Sequence, residues 1–227
     1  METITKEYQK AIDYIYELIE QGELCIGDKL PTERFIAEQL NMSRNSTREA
    51  LRTLENMGVI ESRQGSGNYL VGHVSKTITK AIDMMLLLRQ TNIKEISSFR
   101  RSMEISVCQA IIDQGLSEKW KRQLEEIITK MDSISCSSDL SEQVELDRQF
   151  HFTLIYATEN QFWICIAESV IEVYRRFIDA ALQNANSTIR QTLSTCHKDL
   201  FHAIQKGDRQ ACEQAINRHY HLVETQK

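Results

Sequence analysis

The sequence predicts a mainly α-helical chain whose β-structure is confined to one short hairpin in its first third. Three observations predict this. Apolar residues recur at helical spacing over most of the length. The 227 residues include a single proline, which leaves long helices uninterrupted. The strand-like runs at Val59–Ser62 and Asn68–Val71 flank a tip from Arg63 to Gly67 that contains Gly65 and Gly67, a hairpin signal.

Residues 8–21 place Ala11, Ile12, Ile15, Leu18 and Ile19 on one face, a core-facing helix that ends at Gly22. Thr32 can cap a second helix that runs to about Gln39 and buries Phe35, Ile36 and Leu40. Ser43 can cap a third, on which Thr47, Ala50, Leu51, Leu54 and Met57 share one arc. Arg44, Arg48 and Arg52 stand four apart and line the opposite face, with Asn45 beside them. Met42–Arg48 holds two arginines and no acid, in a chain of net charge −5. Its other polar residues, Ser43, Asn45, Ser46 and Thr47, are short hydrogen-bonding types suited to phosphates and base edges. A short helix leaning on an amphipathic one with arginines at its start has the form of a helix-turn-helix reader, and the hairpin that follows makes it winged. A solvated charged face and an ordinary surface hairpin are the plainer alternatives.

The motifs Gly27-Asp-Lys-Leu-Pro-Thr-Glu-Arg34, Ser43-Arg44, Arg48-Glu49-Ala50-Leu51, Leu54-Glu55 and Gly65-Ser66-Gly67 occur in one order. Together they resemble the N-terminal domain of GntR-family bacterial transcription regulators, over roughly residues 8–72. The resemblance implies DNA contacts by Arg34, Arg44 and Arg48, helped by Ser43, Asn45, Ser46, Gln64 and Gly65. Ile26, Met42 and Thr47 depart from the usual family residues; Thr47 replaces an aliphatic one and predicts slightly loose packing of the third helix.

The negative balance, already present in the first seventy residues, means that affinity for phosphate must come from a local basic patch. Modest non-specific binding and reliance on dimerisation follow. No apolar run reaches the roughly eighteen residues of a membrane span, and the first residues lack a basic-then-apolar signal pattern, so no membrane partner and a cytoplasmic location are expected. Six cysteines, at 25, 108, 136, 165, 196 and 212, have no regular spacing and are expected to be buried small hydrophobes without disulfides.

The first domain is expected to span 1–72, with a linker at 73–77, where His73 faces solvent, and an all-helical domain at 78–227. Helices are predicted over about 75–90, 93–114, 117–134, 140–158, 160–185, 188–206 and 208–225, with Ser117, Asn160, Ser187 and Asp208 as caps and 160–182 as a central helix buried on several faces. The breaks include a serine-rich stretch from Ser133 to Asp139. The architecture is thus a winged helix-turn-helix joined to a bundle of six to seven helices.

Asp147 and His151 lie four apart, on one helical face. His197 stands ten residues before Gly207 and His219 twelve after it, so an antiparallel hairpin turning there would set them at nearly one height. Three imidazoles and a carboxylate are a reasonable ligand set for a divalent metal, although each residue alone reads as an ordinary core or surface group. The pattern Asp147-x-x-Phe150-His151, Asn160, His197, Ala203-Ile204-x-x-Gly207-Asp208-x-x-Ala211 and His219, with Arg100-x-x-Met103-Glu104 before it, is similar to the FCD ligand-binding domain of the FadR branch, over about 93–224. That resemblance implies a metal at Asp147, His151, His197 and His219, zinc first with nickel or manganese as alternatives, and a small carboxylate effector beside it. His202 and His221 fall off this face, and Cys196 points elsewhere.

A divalent ion with one ionised ligand leaves net positive charge in an apolar bundle and favours an anion, which Arg100 could grip in bidentate fashion. An ion pair with Glu104 is the equal alternative for Arg100. The expected function is a homodimeric regulator, a repressor, reading a pseudo-palindromic double-stranded DNA operator and responding to a small organic acid. The alternatives are a metal-free acyl-CoA-type sensor and a metal-dependent hydrolase. The latter lacks any arrangement of general base, nucleophile or oxyanion donors, so no enzyme activity is expected.

Overall fold

The computed structural model describes residues 7–134, 140–184 and 186–225. Its elements are α1 (Glu7–Glu20), α2 (Glu33–Gln39), α3 (Arg44–Asn56), β1 (Ile60–Arg63), β2 (Gly67–Leu70), α4 (Val74–Leu87), α5 (Ile93–Gln114), α6 (Glu118–Ile134), α7 (Leu140–Ala157), α8 (Gln161–Asn184), α9 (Ser187–Lys206) and α10 (Arg209–Glu224). They form two compact units, 1–80 and 81–227. Helix α4 starts at Val74, within the stretch that reads as a linker.

In the first unit α1 and α2 pack against α3. Ala11, Ile12 and Ile15 of α1 meet Ile36, Ala50, Leu51 and Leu54 in one core, closed by Ile60 and Leu70 of the hairpin. The caps are as the sequence predicts: the Thr32 hydroxyl accepts from Phe35 N–H and the Ser43 hydroxyl from Ser46 N–H. Thr47 is fully buried, and its hydroxyl donates to the Ser43 carbonyl at 3.2 Å, so the polar atom that replaces an aliphatic group is satisfied. Two expected core residues are exposed instead. Ile36 and Ala37 take the inward face of the two-turn α2 and leave Phe35 half in solvent; Met57 caps the end of α3 rather than continuing its buried arc. Gly58 turns the chain into β1 with φ +71, and a Cβ there would lie 2.4 Å from the His73 carbonyl oxygen. β1 and β2 pair antiparallel with Ile60 opposite Leu70 and Arg63 opposite Gly67. His73 is exposed.

The second unit is an all-helical bundle, completing a mainly α protein with a winged helix-turn-helix at one end of the sequence. Helices α5, α6, α7, α8, α9 and α10 share a core that includes Val107, Ile111, Leu124, Phe150, Leu154 and Ile216. Asn160 and Asp208 cap their helices as predicted, whereas α9 is capped by Asn186, one residue before Ser187. Between Ala167 and Tyr174, α8 buries residues on several faces, but Phe162 near its start is exposed. Cys108, Cys196 and Cys212 are buried, while Cys25 is exposed, contrary to expectation, because it lies in the turn after α1; all described cysteines are free. Cys136 and residues 135–139 of the serine-rich break lie outside the described residues. No described helix is long and apolar enough to cross a membrane.

Candidate metal centre and nucleic-acid interface

Asp147 and His151, four apart on α7, project from one face of that helix. His197 and His219 come from α9 and α10, which fold back on each other at Gly207. That residue is left-handed (φ 71), and its N–H caps Ala203 and Ile204 while Asp208 starts the next helix. Their matched distances from the turn bring the two imidazoles level, and the four ligand atoms lie within 4.8 Å of one another, all on buried residues. Asp147 Oδ1 is 3.2 Å from Nε2 of His197, 3.2 Å from Nε2 of His219 and 3.8 Å from Nε2 of His151. The Nε2 atoms of His151 and His197 are 3.4 Å apart. Tetrahedral coordination with bonds of about 2.0–2.1 Å sets donor atoms roughly 3.3 Å from one another, so this cluster matches a divalent ion with little rearrangement.

The protonation states suit that role. Burial by itself would raise the Asp147 carboxyl, yet hydrogen bonds from His197 and His219 and the neighbouring imidazole charge hold it well below the usual carboxylate range. Burial pushes His197 and His219 down, against the opposing pull of Asp147, and so favours neutral imidazole. An ionised carboxylate beside imidazoles that burial pushes toward the neutral form, as at His197 and His219, suits a cation. Phe150 closes one side, its ring 4.6 Å from that of His197.

Behind the cluster stands a residue that sequence reading left as a partner for Arg100 and no more. Glu104 Oε2 lies 3.0 Å from His151 Nδ1, the position from which a carboxylate orients a ligating imidazole. Its other oxygen accepts from Arg100 Nε at 2.8 Å, with both side chains 2 % exposed. The ion pair that the i,i+4 spacing allowed is therefore present. The Arg100 guanidinium also faces the rings of Tyr174 and Tyr220, at 5.5 and 5.7 Å. Burial would lower its pKa, but the charges of Tyr220, Glu104 and Asp147 keep it raised; Glu104 is lowered by His151 and Arg100 despite its burial. In sequence Glu104 shows only as a spacing from Arg100 and as part of the FCD pattern, and nothing there aligns it with His151 on another helix.

Two cavities reach Asp147, each with about 510 Å³ of empty space open to solvent. One is lined by Arg100, Arg148, Arg175 and Asp147, the other by Asp147, His197 and residues of α6, α7 and α9. His202 and His221 are exposed, off the cluster as their spacing predicts. Cys196 is turned away and accepts from Arg218 Nε at 3.2 Å.

In the first unit, Ser43, Arg44, Asn45 and Arg48 lie at the N-terminal end of α3 and are exposed. Arg44 has no ion pair among the described residues, whereas Arg48 is held by Glu33 at 2.7 Å. Arg34 is exposed on α2 and paired with Glu38 at 2.8 Å, a hydrogen bond that raises its pKa. Ser46 is half-buried and donates to Glu7 Oε2 at 2.8 Å. Gln64 and Gly65 stand exposed at the hairpin tip. Surface pairs of this kind are weak and screened by salt, so Arg34 and Arg48 can exchange them for phosphates.

Residues 7–70 match the family model described as bacterial regulatory proteins, gntR family, and residues 95–222 match that of the FCD domain. The HTH-type transcriptional regulator LutR of Bacillus subtilis (strain 168) is 28% identical over 211 residues, covering 91% of this chain and 94% of the relative. The Exu regulon transcriptional regulator of Escherichia coli (strain K12) is 32% identical over 163 residues, 72% of this chain and 61% of that protein. The same fold occurs in the solved structure titled Streptococcus agalactiae GntR, with a TM-score of 0.72 at 20% identity, covering 97% of this chain and 100% of that one.

Proposed function

The chain belongs to the GntR family of bacterial regulatory proteins and carries an FCD domain, which makes it a ligand-responsive DNA-binding regulator and not an enzyme, and we propose the following division of labour for it. Residues 1–72 read double-stranded DNA, 73–77 connect, and 78–227 bind metal and effector and dimerise. Arg34, Arg44 and Arg48 contact the operator, helped by Ser43, Asn45, Ser46, Gln64 and Gly65. Arg44 is the principal phosphate or base contact, since it has no competing carboxylate among the described residues.

The observation that carries the effector half is the buried convergence of one carboxylate and three imidazoles. We assign Asp147, His151, His197 and His219 as ligands to zinc, with nickel and manganese as the alternatives. A bound divalent ion supplies a Lewis-acidic seat for a small carboxylate. Glu104 fixes the ring of His151, and Arg100, at the wall of the adjoining cavity, offers its remaining N–H groups to the anion. A metal-free acyl-CoA sensor would leave the buried Asp147 among three imidazoles without a purpose.

We assign homodimerisation to the helical unit, where Met84, Met85, Leu87 and Leu88 at the end of α4 are exposed. Two heads related by a two-fold axis would read a pseudo-palindrome. An effector that binds the two DNA-binding states unequally shifts their populations; we propose that it releases a repressor. The test is fluorescence anisotropy of the zinc-loaded full chain on DNA from its own upstream region, with and without metabolite carboxylates. Saturable binding weakened by one of them is expected; no binding to any fragment at low salt sinks the reading.

A further inference from the structure

The cavity that adjoins Asp147 and His197 carries two polar atoms that the described residues leave without a partner. Gln143 precedes Asp147 by four residues on α7, and Ser194 precedes His197 by three on α9. Each therefore sits on the same helical face as a cluster residue, one turn or about 5 Å along the axis. Both line the same cavity, whose remaining wall holds Arg190 and Gln191 beside the apolar Met131, Ile134, Leu146 and Leu193. Gln143 Oε1 and Ser194 Oγ are buried and have no hydrogen-bond partner among the described residues. Buried polar side-chain atoms are usually paired, so two unpaired ones facing one cavity ask for a third party.

Their chemistry says which kind. Gln143 Nε2 donates to the Ile134 carbonyl oxygen at 3.2 Å. That contact fixes the amide orientation, because only the NH₂ end can donate, and leaves Oε1 as an acceptor. An acceptor needs a donor. A plain alkyl chain offers none, and an ionised carboxylate, which only accepts, offers none to Gln143 either. The Ser194 hydroxyl can both give and receive a hydrogen bond. A ligand hydroxyl satisfies both at once, donating to Gln143 and accepting from Ser194, while the apolar wall takes the carbon skeleton.

We propose that Gln143 and Ser194 determine specificity: they read a hydroxyl placed several carbons from the carboxylate of the effector, so that the ligand class is a distally hydroxylated monocarboxylate. This rests on the metal-and-carboxylate reading of the same site. Of that reading it keeps the metal-seated carboxylate and departs on Arg100, which lines the other cavity: the ligand approaches along the cavity between α6, α7 and α9, its carboxylate end toward Asp147 and His197.

Isomeric probes separate the idea from mere metal chelation. A hydroxyl next to the carboxylate can chelate a metal without reaching Gln143, whereas one at the far end cannot chelate. Calorimetric titration of the zinc-loaded full chain with 5- and 6-hydroxyhexanoate, 2-hydroxyhexanoate and hexanoate should show the better distal isomer binding at least about tenfold more tightly than the other two, the scale of a satisfied buried hydrogen bond. Ser194→Ala removes one hydroxyl from the wall and should erase most of that preference while hexanoate affinity stays within about twofold; Gln143→Met should do the same. Equal binding of the isomers, or a preference that survives in the Ser194→Ala chain, overturns the proposal and leaves the carboxylate reading intact. Zinc binding without binding of any of the four acids removes the carboxylate reading and this inference with it.

Discussion

Replacing Glu104 with alanine isolates what that carboxylate does for the bundle. Its removal leaves the Arg100 guanidinium, 2 % exposed, without its hydrogen-bonded counter-ion and takes away the carboxylate 3.0 Å from His151 Nδ1. Asp147 also acts on Arg100 by charge, but His197 and His219 already engage it. Breaking a buried pair from one side costs about 3–5 kcal/mol, because the surviving charge remains in the interior. For a chain of this size each kcal/mol shifts the melting temperature by about 2–4 °C, so a fall of roughly 6–20 °C is expected. The measurement should be made with chelator present, which keeps any loss of metal from adding to the shift. Replacing the pair together, Arg100→Met with Glu104→Leu, removes both charges and should recover most of the stability. Zinc affinity offers a second readout: without the carboxylate that orients His151 it should fall about 10–100-fold in the single variant. A loss below about 1 kcal/mol for Glu104→Ala, or an apolar pair as damaging as the single change, would refute the argument.

Other consequences follow from individual contacts. Arg44→Ala should cost about 1–3 kcal/mol of operator binding per chain and flatten the salt dependence by roughly one phosphate contact, as read by anisotropy over a salt series. Glu33→Gln frees Arg48 from its ion pair and removes a negative charge beside it, so operator affinity should rise, and an unchanged affinity would argue against a DNA contact by Arg48. Asp208→Ala removes the cap whose side chain accepts from Ala211 N–H and should destabilise by about 1 kcal/mol in urea unfolding. Zinc at about a hundred times its dissociation constant should stabilise the chain by about 2.7 kcal/mol, or some 5–10 °C, and His197→Ala should abolish that response.

Much of the fold was legible because the signals are local. Helices α5 to α10 announce themselves by periodicity, and the turns at Gly115 and Gly207 by glycines with positive φ. The cap at Asp208 could be read for the same reason, while Asn186 and Ser187 are both competent caps and only the backbone chooses between them. Phe35 and Met57 were misplaced because a helical wheel assumes that the helix and its buried stripe continue to the end. α2 is only two turns long, and α3 stops before Met57. The buried quartet of Asp147, His151, His197 and His219 was within reach since two of its members share a helix and the other two flank one glycine. Glu104 was not, because it meets His151 across two helices that are separated in sequence. Gln143 and Ser194 carry no signal at all until the cavity shows that Gln143 Oε1 and Ser194 Oγ lack partners among the described residues.

The central claim is that Asp147, His151, His197 and His219 hold one divalent ion. Elemental analysis of the untagged full chain, purified without chelator, tests it most directly when paired with the His197→Ala and His219→Ala variants. One zinc per chain, or one nickel or manganese in its place, lost in both variants while helical content is kept, is the expected result. A wild-type protein that takes up no divalent metal after incubation and gel filtration, or variants that retain a full equivalent, would contradict it.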